Sequence, residues 1–284
     1  MLRPRSPAVT AAVAGHYDEL DALYRAVWGE HVHHGLWWTG HESSARATRN
    51  LVDLVVQRAA VRPGARVVDV GCGYGATARV LAREHGASVR ALTVSGAQHA
   101  HARGLPRRAG DPDYELSDWL ANVEGDGRAD AVIAIESIAH MGDKARALRE
   151  CARVLRPGGR LVVCDWLTAE RPGRLARQAL LQPICREGRL PSMGSAREYA
   201  DLMRSAGLVV DGFEDLSRRV RRTWRLCLAR AARELARSPE ARQLALDRAS
   251  TERLFALSLV RIPVAYTTGA MVYGVLSAHV PRPG

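Results

Sequence analysis

Asp69 stands inside an apolar run, Val67-Val68-Asp69-Val70, that leads into Gly71-Cys72-Gly73-Tyr74-Gly75 and then a helix-forming stretch from Ala76 to Glu84. Three glycines at alternate positions strip a tight turn of side chains, so a ligand can approach the backbone. N–H groups exposed at a helix start favour an anionic group. This is the chemistry of binding a nucleotide-like ligand. The run Gly71-Cys72-Gly73-Tyr74-Gly75-Ala76 also satisfies the GxGxxA dinucleotide pattern. Two features weigh against a nicotinamide dinucleotide: Asp69 lies within the strand end, and Leu92-Thr93-Val94 stands where a ribose-binding carboxylate belongs.

Two other side chains carry acid–base chemistry. His140 follows one predicted strand and Asp165 follows the next, and strand ends of this kind face the ligand crevice of an open α/β sheet. A histidine of near-neutral pKa suits deprotonating a hydroxyl or an ammonium; packing beside the ligand is the alternative role. His31, His33 and His34 cluster, but no nearby Cys or HExxH pattern completes a metal centre, and none is expected. The cysteines, Cys72, Cys151, Cys164, Cys185 and Cys227, are odd in number and lack CxxC spacing, which fits a reducing cytoplasm.

The elements that must position these residues follow from periodicity and punctuation. Helix is predicted over about 12–30 and from Ser43 or Ser44 towards Arg58. Strands are predicted at Arg66 to Val70, Ser88 to Val94, Asp111 to Ser117, Ala129 to Ile135, Arg160 to Cys164 and Gly207 to Asp215, with a final strand from Ala270 to Val280. Ser95-Gly96-Ala97-Gln98 opens a helix, Asp143 to Leu155 is amphipathic and stopped by Pro157-Gly158-Gly159, and Ala196 to Ala206 is helical. A long helical stretch from Val220 to Val260 breaks at Ser238-Pro239. The alternation implies a Rossmann-like, doubly wound α/β sheet, mostly parallel with an antiparallel final strand. Residues 1–60 form an N-terminal helical lid, and residues 61–284 the main domain, with a helical cap at about 171–197 and a second insertion at about 220–260.

At 284 residues and 47% hydrophobic, the chain can bury one large core. No apolar run reaches the roughly 18 residues needed to span a bilayer. Net charge is +11, and the only lysine is Lys144. A nucleic-acid partner is one reading of that charge. It is disfavoured because aromatics make up only 5% and none interleave the basic clusters. The densest cluster, Arg218, Arg219, Arg221 and Arg222, reads as a phosphate or carboxylate clamp or as a solvated helix face.

Asp69-Val-Gly71-Cys-Gly73-Tyr-Gly75, Asp118-Trp119 and Leu155-Arg-Pro157-Gly158-Gly159, in that order, resemble class I S-adenosylmethionine-dependent methyltransferases. The segments Trp28 to Trp37, Leu92-Thr93-Val94-Ser95 with Gln98, Glu136-Ser137 with His140-Met141, and Ala265 to Gly274 are similar to the tocopherol methyltransferase-like small-molecule group. The resemblance implies S-adenosylmethionine as cofactor and a small-molecule acceptor in natural-product metabolism, with carbon, nitrogen or oxygen as the methylated atom. An oxidoreductase or a nucleic-acid methyltransferase is the competing class.

The resemblance also implies roles. Gly71, Cys72 and Gly73, with Asp69, would hold the methionine part, their backbone N–H groups near its carboxylate. Thr93, Val94 and Gln98 would border the ribose. Asp118 would accept from the adenine amino group with Trp119 against the ring, and Glu136 would border the cofactor. Tyr17 and the segment carrying His34 would fold over it. In O-methylating relatives a histidine and an aspartate placed like His140 and Asp165 act as base and orienter. Oligomeric state stays open, with a homo-oligomer that exchanges lid helices among the options.

Overall fold

The computed structural model describes residues 1–4, 8–239, 242–243 and 255–283. Its strands are β1 (Arg66–Val70), β2 (Ser88–Thr93), β3 (Asp113–Leu116), β4 (Ala129–Ile135), β5 (Leu155–Thr168), β6 (Val209–Asp215) and β7 (Met271–His279). They form one sheet in the order β3-β2-β1-β4-β5-β7-β6. β1 to β5 pair in parallel, while β7 runs antiparallel between β5 and β6. Four of the five β1 residues are buried, as a strand covered on both faces requires.

One face of the sheet carries α3 (Ser44–Ala59) and α4 (Ala76–His85); the other carries α6 (Lys144–Val154) and α9 (Ala196–Ser205). Helix starts follow side-chain chemistry. Ser43 accepts from the Arg46 amide, Asp143 from that of Arg146, and Ser195 forms a capping box with Glu198. Between β2 and β3, α5 (Gly96–Gly104) is capped by Ser95, which accepts from the Gln98 amide.

The N-terminal helix predicted over 12–30 is two helices, α1 (Thr10–Glu19) and α2 (Asp21–Val27), which break at Leu20. The break aims each at a different partner. Asp18 of α1 accepts from the Ser95 hydroxyl at 2.5 Å and the Ala97 amide at 3.0 Å. Asp21 of α2 accepts from the Tyr74 hydroxyl at 2.7 Å. Pro157-Gly158-Gly159 does not precede β5 but lies within it, where the register to β4 shifts between Ala129 and Ala131.

The segment expected to form a cap contains α7 (Arg174–Ala176), a π turn (Arg177–Leu181) and α8 (Gln182–Glu187). After β6 come α10 (Ser217–Val220) and α11 (Arg222–Arg237), which ends at Ser238 as expected. The predicted stretch to Val260 lies outside the described residues at 240–241 and 244–254. It resumes as α12 (Phe255–Thr267), which runs past Val260 with Pro263 inside it.

Candidate active site

The carboxyl ends of β1, β2 and β4 open into a cleft. Tyr17, Gly71, Gly73, Thr93, Val94, Gln98, Asp118, Trp119, Glu136 and His140, all singled out from the sequence, line it. A smaller adjoining hollow is lined by Asp69, Cys72, Gly71 and Gly73 together with His31 and His33. His34 and Asp165 line neither.

The glycine turn is built by division of labour. Gly71, Gly73 and Gly75 all have positive φ. A Cβ on Gly71 would lie 2.3 Å from Cβ of Ser137, and one on Gly75 would lie 2.4 Å from the Tyr114 ring; one on Gly73 would meet nothing. Gly71 and Gly75 are therefore bare for packing, whereas Gly73 is bare towards open space. The amides of Gly71 and Cys72 both donate to the Leu92 carbonyl, at 2.9 and 2.8 Å. That corrects the expectation that the whole turn offers N–H groups to a ligand: β2 takes two of them, the Cys72 carbonyl takes that of Gly75, and those of Gly73 and Tyr74 are left.

Asp69 is 2% exposed, and its Oδ2 has no hydrogen-bond partner. Burial pushes its carboxyl up to about 7. On β2, the Thr93 hydroxyl donates to Oε1 of Gln98 at 2.9 Å, which leaves the Gln98 NH2 as the donor beside the cleft. Asp118 accepts from the Leu120 amide through Oδ1 only. Trp119 is 2% exposed and donates its indole N–H to the Ala147 carbonyl at 3.0 Å, so most of its ring belongs to the core and only part borders the cleft.

Glu136, at φ 56°, is a half-buried hub. Its Oε1 accepts from the His34 amide (2.7 Å), His34 Nδ1 (2.9 Å) and the Tyr273 hydroxyl (2.9 Å), and its Oε2 accepts from the Trp166 indole (2.8 Å). Burial raises this carboxyl, but the neighbouring His34 and His33 and the His34 hydrogen bonds pull it further down, to about 2. The Trp224 indole N–H donates to Nε2 of His34 at 2.7 Å, which sets the His34 proton on Nδ1, facing Glu136. His34 thus reaches the cleft through Glu136. Trp166, Tyr273 and Trp224 were not singled out from the sequence. Strand parity could have pointed to Trp166, one residue beyond Asp165.

His140 Nε2 lies 3.1 Å from the Tyr17 hydroxyl, and its Nδ1 lies 3.4 Å from the Arg189 carbonyl. Burial, then the charge of His16, lowers its pKa to about 4 rather than leaving it near neutral. The expected base–orienter pair with Asp165 is not formed. Asp165 is fully buried, accepts from the Tyr199 hydroxyl at 2.8 Å and the Trp166 amide at 3.0 Å, and is pushed up to about 7 by burial despite the nearby Lys144 charge. Lys144 instead supports the turn that carries His140, donating to the carbonyls of Ala139 (2.9 Å) and Met141 (3.0 Å). His31 Nδ1 meets His33 Nε2 at 3.1 Å, and among the described residues no three His, Cys, Asp or Glu side chains converge as a metal site.

Residues 5–254 match the family described as CMAS, mycolic acid cyclopropane synthetase. The chain belongs to the mycolic acid cyclopropane synthetase family. Methyltransferase GfsG of Streptomyces halstedii is 34% identical to this family member over 221 residues, covering 76% of this chain and 79% of that protein. The 27-O-demethylrifamycin SV methyltransferase of Amycolatopsis mediterranei (strain S699) is 33% identical over 211 residues, covering 73% and 77%. Among solved structures, the [4+2]-cyclase SpnF is 27% identical with a TM-score of 0.78 and 99% of each chain covered. The cyclopropane synthase MmaA2 from Mycobacterium tuberculosis is 20% identical with a TM-score of 0.84, covering 98% and 99%, a likeness of fold. This member of the family is an S-adenosylmethionine-dependent methyltransferase of small molecules, and none of these relatives supports the oxidoreductase reading. The site fits that cofactor: the lone buried Oδ2 of Asp69 suits an amino-acid ammonium, and the open space over Gly73 suits the carboxylate beside it.

Proposed function

We propose that this enzyme methylates a hydroxyl of a natural-product small molecule, with His140 as the general base. The observation that carries the reading is a histidine at the cleft whose Nδ1 faces a carbonyl and whose Nε2 therefore bears the lone pair. Its lowered pKa keeps it unprotonated at neutral pH. Support for oxygen as the acceptor comes from the rifamycin relative, whose name specifies a 27-O-demethylated substrate.

S-adenosylmethionine supplies a methyl group on a sulfonium sulfur. Asp69 would take its ammonium, the Gly73 amide its carboxylate, and Gln98, with Thr93 behind it and Val94 alongside, its ribose. Asp118 would accept from the adenine amino group through its free Oδ2, with the exposed edge of Trp119 beside the ring. His140 would take the acceptor's hydroxyl proton on Nε2. Tyr17 and the segment carrying His34 would exclude water, and orientation in that closed chamber contributes several kcal/mol to lowering the barrier, as an order of magnitude. Asp165, through its bonds to Tyr199 and Trp166, would act on packing and not on the proton.

The acceptor is a free small molecule and not a nucleic acid, and the setting is a reducing cytoplasm, in keeping with five free thiols. Among the described residues no helix is long and apolar enough to cross a membrane. The test is incubation with S-adenosylmethionine and 27-O-demethylrifamycin SV, alongside a panel of hydroxylated macrolides. Methylated product and stoichiometric S-adenosylhomocysteine are expected. A second reading rests on the likeness to SpnF over nearly the whole chain: ring closure with the cofactor held but not consumed. Conversion of a polyene acceptor without S-adenosylhomocysteine release would favour it.

A further inference from the structure

A second hollow, sharing no residue with the cofactor cleft, lies between the loop Trp37-Trp38-Thr39-Gly40 and the start of α11. Arg218, Arg219, Arg221, Arg222 and Arg225 line it, and all five are exposed. Arg219 and Arg222 hold the loop. The Arg219 guanidinium sits 4.5 Å from the centre of the Trp38 ring and that of Arg222 5.9 Å from the Trp37 ring, and Arg222 donates to the Gly40 carbonyl. Arg218, Arg221 and Arg225 recur at helical spacing and point a row of charge outwards over about 10 Å.

None of the five pairs with a carboxylate among the described residues. This is not the chain's habit: Arg49 pairs with Asp53 and Glu84, Arg83 with Asp111, and Arg153 with Glu150 and Asp126. The loop's own acid, Glu42, accepts from the amides of Trp38, Thr39 and Gly40 and leaves the guanidinium groups alone. Unpaired arginines around a tryptophan that is 45% exposed have the composition of a protein-binding hot spot. A small anion would call for convergence in an enclosed pocket, whereas these side chains spread along the chain from α10 into the first turn of α11. Nucleic acid would call for a bare stacking platform, whereas the Trp38 ring already has a guanidinium over it.

We propose that this Arg–Trp groove docks an acidic protein surface, one presenting carboxylates at helical spacing. The groove is also tied to the active site. On the opposite face of α11, Thr223 accepts from the Gly35 amide at 3.0 Å and Trp224 donates to His34, so a partner seated here bears on the segment that covers the cofactor.

The probe is a fluorescein-labelled 16-residue peptide with glutamates at i, i+3, i+4 and i+7, titrated into the full chain at several salt concentrations. Binding that weakens with salt is expected. The R218E/R221E/R225E variant should bind the peptide at least tenfold more weakly. R103E/R107E/R108E, an equal charge change at the end of α5 and in the loop after it, should lose less than twofold, and both should keep S-adenosylhomocysteine binding. Trp38→Ala should weaken the peptide severalfold without altering net charge. Equal losses in the two triple variants, or displacement of the peptide by inorganic triphosphate or duplex DNA at lower charge concentration, would overturn the proposal.

Discussion

The Tyr17 hydroxyl donates to Nε2 of His140 across 3.1 Å, so a residue of α1 occupies the lone pair proposed to take the acceptor's proton. Burial raises the pKa of Tyr17, so the phenol keeps its proton at neutral pH, and with Nδ1 of His140 set towards the Arg189 carbonyl it is the donor here. An acceptor hydroxyl must displace this phenol to reach the base. His140→Ala should therefore lower kcat by about a hundred- to ten-thousandfold, the span of general-base contributions. Cofactor affinity, by calorimetry with S-adenosylhomocysteine, should stay within about threefold, because His140 makes no part of the proposed cofactor contacts. An unchanged kcat would assign His140 to packing.

The pH profile of kcat/KM, which reports the free enzyme, follows from the same residue. Burial, with the His16 charge behind it, holds His140 at about 4, so the neutral base is present throughout the neutral range. The acid limb should appear as pH falls through about 4, and no bend should appear near the ordinary imidazole value of about 6.5. A limb near that ordinary value would mean that the working enzyme exposes His140 to water.

Asp69 predicts a pH dependence of binding. Its carboxyl is pushed up to about 7 by burial, so it holds a proton below that value in the free enzyme. An ammonium ligand needs it ionised. S-adenosylhomocysteine should bind more tightly as pH rises towards about 7, by up to about tenfold per unit, and binding should release a proton. Stability of the free enzyme has the matching sign. The folded pKa lies above the unfolded value of about 3.9, so stability falls as pH rises from there towards about 7. Asp69→Asn should abolish both slopes; calorimetry in buffers of different ionisation enthalpy would measure the proton.

The three glycines separate folding from binding. Gly75→Ala drives a Cβ to 2.4 Å from the Tyr114 ring and should lower the melting temperature sharply. Gly73→Ala meets no neighbour, so beyond the cost of its positive φ, about 1 kcal/mol, it should leave the fold in place. Its loss should fall on cofactor affinity instead. Equal thermal losses in the two variants would deny the open face of Gly73 a binding role.

Much of this architecture is legible before any coordinates. The strand into Gly71 is readable because a strand covered on both faces needs a mostly apolar run, and the helix starts at Ser43 and Ser95 because a cap needs a particular side chain. The break at Leu20 is not readable, since what divides α1 from α2 is a pair of acids, Asp18 and Asp21, bonded to distant residues. The sequence places Asp165 just past a strand, whereas β5 runs on to Thr168 and holds it inside, and its direction is not legible either. Side chains alternate along β5, so Asp165 shares the face of Val163 and Leu167, where Tyr199 waits, while Trp166 turns to Glu136. The same limit hides the amides of Gly71 and Cys72, because a turn motif does not reveal that the neighbouring strand's Leu92 carbonyl claims them.

Glu136 and Trp166 test how tightly the hub around Glu136 is held. Glu136→Gln keeps the shape but sets an NH2 against one of its donors: with three donors gathered on Oε1, the amide oxygen belongs there and the NH2 faces the Trp166 indole. Two donors in opposition, in place of a charge-assisted bond, should cost about 1.5–3 kcal/mol, read from denaturant unfolding. Trp166→Phe alone removes one partner and leaves Oε2 unpaired, a smaller loss because Oε1 keeps its three. Combined, the substitutions remove the clash that Glu136→Gln creates, so the double variant should be more stable than the sum of the single losses requires. Strict additivity would mean that the indole bond contributes nothing to holding Glu136, and that the carboxylate is placed by His34 and Tyr273 alone.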